Sequence, residues 1–197
     1  MTAFVAVGCS LGGFRAVGTV LAGLPRGFSA PIAVVQHRSS HGTEDYAAAI
    51  RRGSPLAVRE AEDKEVPQPG VVYLAPAGYH LLLDAGAFAL SVDEPVNFAR
   101  PSIDVMFESL AAEMGPAAIA VVLSGASRDG CEGAVRVREA GGRVVVQEPA
   151  EAESSVLPRA TLAAVSAIAT DVVVLPLADM APWLVTAVGP SVASSIA

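Results

Sequence analysis

The feature that most constrains this chain is the recurrence of short, β-branched apolar runs at residues 4–7, 32–35, 71–74, 119–123, 144–146 and 172–175. Each has the length of a strand buried on both faces. Between most of them lie stretches with helical period: Ile103, Met106, Phe107, Leu110 and Met114 share one face, and Ser102 is placed to cap that helix. Strand alternating with helix predicts βαβ units with right-handed crossovers. The expected fold class is therefore α/β, a doubly wound, mainly parallel sheet with helices on both faces. One antiparallel hairpin is expected mid-chain, where the apolar flanks 81–83 and 88–90 surround Asp84-Ala85-Gly86. Pro67-Gln68-Pro69-Gly70 reads as a turn before the third run.

A chain of 197 residues buries one sizeable core, and no linker or repeat divides it, so one domain is expected over residues 1–190 with a frayed tail at 191–197. The net charge of −7, with Lys and Arg scattered, opposes nucleic-acid binding. Residues 1–7 lack a basic leader, and the apolar stretch from Met180 is interrupted by Pro182 and Pro190, short of the roughly 20 residues that span a bilayer. No membrane insertion is expected. Cys9 and Cys131 stand apart from any His or Cys at ligand spacing, so no metal, cofactor or disulfide is expected, and the thiols read as reduced in a cytoplasm.

The chemistry begins where the first run meets Gly8-Cys9-Ser10-Leu11-Gly12-Gly13, a G-x-S-x-G pattern in strand-turn-helix context. A sharp turn puts the serine at its apex, and flanking glycines let strand and helix approach without Cβ clashes. The N–H groups of Leu11, Gly12 and Gly13 would open the helix and face a developing oxyanion. Such turns also cradle nucleotide phosphates, but the middle glycine of the dinucleotide fingerprint is replaced by Ser10 and no P-loop lysine follows.

His37 follows the second run and Asp129 the fourth, so both fall at the carboxyl edge that carries Ser10. A nucleophile, a base and an orienting acid at one sheet edge make a hydrolytic triad. His41 and His80 compete for the base role, and Asp129 could instead be an N-cap for the helix that follows it.

With these residues assembled, the chain resembles the catalytic domain of CheB-type chemotaxis protein-glutamate methylesterases. The resemblance covers nearly the whole chain and rests on an ordered set of landmarks. They include Gly8-Cys9-Ser10-Leu11-Gly12-Gly13, Val35-Gln36-His37, Tyr73-Leu74-Ala75-Pro76, His80, Arg100-Pro101-Ser102-Ile103-Asp104, Leu123-Ser124-Gly125 and Asp129-Gly130. It implies Ser10 as nucleophile, His37 as general base and later acid, and Asp129 as orienting carboxylate. The implied reaction is hydrolysis of glutamate methyl esters on chemoreceptors or related signalling proteins, with glutamine deamidation as a second activity.

The chain departs from the family pattern at Gly125-Ala126-Ser127-Arg128, at Val156-Leu157-Pro158 and at Leu11. The family's receiver domain normally precedes the esterase, whereas this chain opens on its first strand, so a stand-alone esterase with no receiver domain is expected. Arg38, His80, Arg100 and Arg128 are candidate substrate-binding groups, with Arg15 nearby; local positive charge could steer a glutamate-rich partner. Two other readings remain open, a nucleotide- or phosphate-binding module and a scaffold of a chemosensory pathway without turnover.

Overall fold

The computed structural model describes residues 3–38 and 46–189. In chain order the elements are β1 (Phe4–Cys9), α1 (Gly13–Ala22), β2 (Ile32–Gln36), α2 (Tyr46–Gly53), β3 (Ala57–Glu60), β4 (Val71–Leu74), β5 (His80–Asp84) and β6 (Ala87–Ser91). There follow α3 (Ile103–Met114), β7 (Ala118–Val122), α4 (Cys131–Glu139), β8 (Arg143–Gln147), α5 (Val156–Ser166), β9 (Val173–Leu175) and α6 (Leu177–Val188). Seven parallel strands form one sheet in the order β3-β4-β2-β1-β7-β8-β9.

The apolar runs form the interior of this sheet because both faces are covered. Alternate residues of β1 go to opposite cores: Val5, Val7 and Cys9 pack beneath α1, α2 and α6, while Phe4 and Ala6 pack against α3, α4 and α5. β-branched side chains suit such a two-sided burial. The sheet is thus doubly wound, as the strand–helix alternation predicts.

The hairpin β5–β6 stands apart as a two-stranded antiparallel unit whose Leu81, Leu83 and Phe88 join the second core. Its turn residues Ala85 and Gly86 have φ of 48° and 78°, the left-handed pair that matches the twist of a tight hairpin. One strand has no counterpart among the expected runs. β3 lies at the sheet edge with only Val58 of its four residues buried, so charged Arg59 and Glu60 interrupt the apolar signal that marks an interior strand.

The strand order makes β1 the pivot. Chain before the hairpin builds outward through β2 and β4, and chain after it builds outward the other way from β7. The carboxyl ends of β2, β1 and β7 flank this switch point, where open α/β sheets place their sites. No helix among the described residues is long and apolar enough to cross a membrane.

Candidate active site

Ser10 stands one residue beyond β1, in the turn that enters α1. Its N–H donates to Ser124 O at 2.9 Å, tying the turn to the end of β7. Gly12 has φ of 77°, a left-handed conformation that a β-carbon strains. A Cβ there would also lie 2.6 Å from Glu153 Cβ and 2.7 Å from Ser124 Oγ. Conformation and space both hold this position to glycine.

β1 and β2 pair with Cys9 opposite Gln36, and His37 N–H donates to Cys9 O at 3.1 Å. Ser10 and His37 are therefore the next residues on neighbouring strands about 4.8 Å apart. His37 Nε2 lies 2.6 Å from Asp129 Oδ2. With Nε2–H donating to the carboxylate, the lone pair sits on Nδ1, which is the nitrogen left to serve as base. Ser10 Oγ has no hydrogen-bond partner among the described residues and so is free to turn toward it.

Asp129 is fully buried and accepts from five donors. Besides His37 these are Ser102 Oγ–H and the Ile103 N–H, each at 2.6 Å, the Asp104 N–H at 3.3 Å and Asn97 Nδ2 at 3.4 Å. Burial by itself raises the pKa of this carboxyl; the hydrogen bonds from His37, Ser102 and Ile103 outweigh it and hold the group below the ordinary carboxylate range. The N-cap alternative is answered in an unexpected way. α4, which follows Asp129, is entered through Gly130 without a side-chain cap, and Asp129 instead takes the first free N–H groups of α3, where the helix dipole also favours an anion.

A cleft of about 530 Å³ opens beside His37, bordered by Arg38, Gly78, Phe98, Arg100 and Pro101. Of the candidate substrate-binding groups, Arg38 and Arg100 border this cleft. Arg38 pairs with Glu60, donates to Ala75 O and stacks over Tyr46, while Arg100 donates to the carbonyls of Val92 and Asp93. Arg128 does not border this cleft; it lines a separate hollow with Asp104, Cys131 and Glu132. His80 is a correction too. It is 2 % exposed, its Nδ1 accepts from Ser102 N–H and its Nε2 donates to Glu94 O, so it braces the approach to α3 and presents nothing to a substrate. His41 lies outside the described residues.

Of the three N–H groups expected to face an oxyanion, Gly13 is already spent, donating to Ser10 O at 2.9 Å. Leu11 and Gly12 N–H have no acceptor among the described residues. Four residues of the site went unassigned in the sequence. Asn97 bridges the carboxyls of Asp104 and Asp129, Asp104 is buried beside Asp129, and Gln36 and Ser124 grip the serine turn from either side. Gln36 next to His37 and Ser124 at the end of a strand were signals of position. Asn97, in a loop, gave none.

Comparison with known proteins fits this geometry. The family model of CheB methylesterases matches residues 5–184. A putative protein-glutamate methylesterase/protein-glutamine glutaminase of Leptospira interrogans is 39 % identical over 82 % of this chain and 84 % of its own length. A protein-glutamate methylesterase/protein-glutamine glutaminase of Maricaulis maris is 37 % identical over 92 % of this chain and 45 % of its own. The chain thus spans about half the length of several relatives it matches. The crystal structure of the Thermotoga maritima CheB methylesterase catalytic domain superposes with a TM-score of 0.87 at 33 % identity, over 94 % of this chain and 98 % of that one. Matched by that family model from residue 5 to residue 184 and 39 % identical to a relative over four-fifths of its length, the chain belongs to the CheB methylesterase family.

Proposed function

We propose that the chain hydrolyses methyl esters of glutamate side chains on a methylated chemoreceptor or a related signalling protein in the cytoplasm, and deamidates glutamine side chains at the same site. The observation that carries the reading is the His37–Asp129 pair set one strand away from the Ser10 elbow. The relatives named protein-glutamate methylesterase/protein-glutamine glutaminase support the choice of substrate.

Ser10 Oγ attacks the ester carbonyl as His37 Nδ1 takes its proton, and Asp129 stabilises the imidazolium. The tetrahedral oxyanion is met by the N–H groups of Leu11 and Gly12. Collapse breaks the C–O bond to the methoxy group, which leaves as methanol with the proton from His37. Water, deprotonated by the same imidazole, then attacks the acyl-serine and releases the glutamate carboxylate and Ser10.

A phosphate-binding turn is less well supported, because Gly13 N–H is consumed inside the turn, where it donates to Ser10 O. Release of methanol from a methylated receptor tests the proposal. Wild type should liberate it catalytically and Ser10→Ala should not. Full biological output from Ser10→Ala would favour the scaffold reading instead.

A further inference from the structure

A peptide plane is rigid, and in the trans form the carbonyl of one residue and the N–H of the next point in opposite directions. Whatever grips the carbonyl from behind therefore aims the N–H in front. In the serine turn each of the two free N–H groups has such a grip. Ser10 O, in the plane that carries Leu11 N–H, accepts from Gln36 Nε2 at 3.1 Å as well as from Gly13 N–H. Leu11 O, in the plane that carries Gly12 N–H, accepts from Ser124 Oγ–H at 2.6 Å.

Both gripping side chains are themselves fixed. Gln36 Oε1 accepts from Tyr46 O–H at 2.9 Å and from the Cys9 thiol at 3.5 Å, which settles the amide so that its NH₂ end faces Ser10. Burial pushes both the Cys9 thiol and the Tyr46 hydroxyl up from their ordinary values, so both stay protonated and remain donors. Ser124 is 1 % exposed; its Oγ accepts from Ser154 N–H at 2.9 Å, and its own N–H donates to the buried Gln147.

We propose that Gln36 and Ser124 are positioning residues of the esterase site, holding the Ser10–Leu11 and Leu11–Gly12 peptide planes so that the N–H groups of Leu11 and Gly12 converge on the oxyanion. The proposal rests on the hydrolase reading. Neither side chain touches the substrate, and their effect lies in the transition state, where the donors must already be in place.

The test compares Gln36→Met and Ser124→Ala with wild type. Three quantities are read: kcat, KM, and the Ki of an alkyl boronate, whose boron takes the Ser10 oxygen to form a tetrahedral anion as the serine proton passes to His37. Loss of either grip should lower kcat by about 10- to 100-fold, leave KM within about twofold, and raise the boronate Ki by a similar factor. Ser124→Ala removes a single hydroxyl and decides the matter alone if Gln36→Met fails to fold. An active wild type whose variants keep kcat and Ki within about twofold, or lose only KM, would overturn the positioning role while leaving the hydrolase reading standing. An inactive wild type would overturn both.

Discussion

Asp129 and Ile103 meet where the carboxylate paired with His37 becomes the anion at the head of α3: the Ile103 N–H donates to Asp129 Oδ2 at 2.6 Å, the same oxygen that faces His37. One buried carboxylate thus serves two structures. It fixes the tautomer of His37 and it satisfies N–H groups that a helix start leaves without partners.

Asp129→Asn should therefore fail in two ways. An amide in this pocket can offer a donor where His37 needs an acceptor, so kcat should fall by on the order of 10³–10⁴. The loss of charge at the α3 terminus should lower stability by about 1–2 kcal/mol. Steady-state kinetics and urea denaturation of the same variant check both; normal kcat with normal stability would contradict the dual role.

The neighbouring Asp104 predicts a pH effect on stability. Burial pushes its carboxyl from the ordinary 3.8 up to about 6, the charge of Asp129 adds to this, and the Gly133 N–H works against it. The folded state holds the Asp104 proton more tightly than the unfolded chain, so its contribution is fully present below 3.8 and is lost as pH rises through about 6. Between pH 5 and pH 8 wild type should lose on the order of 1–2 kcal/mol relative to Asp104→Asn. A stability difference independent of pH, measured by denaturation, would remove Asp104 as the titrating group.

Gly8 faces Ile103 closely enough that a Cβ would lie 2.3 Å from Ile103 Cγ2 and 3.1 Å from Phe107 Cζ. Gly8→Ala must push α3 away from β1 and should cost about 1–3 kcal/mol. Because α3 also carries Ser102 and Ile103 against Asp129, kcat should fall with it. Unchanged thermal stability would show that the helix yields freely.

The two arginines that border the cleft should behave differently from the one that does not. Arg38→Gln should raise KM and flatten the dependence of kcat/KM on ionic strength, since charge at the mouth acts on encounter. Arg128→Gln, facing another hollow, should leave both near wild type. Equal effects from the two substitutions would show that overall charge, and not the cleft, governs association.

How much of this is readable from sequence depends on what each residue does to the local pattern. Interior strands announce themselves, because burial on both faces demands an unbroken apolar run, and residues just past their ends can be assigned to one rim. Ser10, His37 and Asp129 are found that way. β3 escapes because an edge strand keeps charge on its open side. The partners of Asp129 escape for a different reason. That its hydrogen bonds come from α3 and not from the helix beside it in sequence is a fact of packing across the second core, and no local spacing encodes it. His80 shows the converse, since a histidine near a site looks functional until both ring nitrogens are seen to be occupied by backbone.

The central claim is that Ser10 is a nucleophile activated by His37. Covalent labelling with a fluorophosphonate, located by mass spectrometry, tests it most directly. One adduct per chain on Ser10, formed at least about 100-fold more slowly in His37→Ala, is the expected result. Labelling elsewhere, or equally fast labelling of Ser10 without the imidazole, would contradict it.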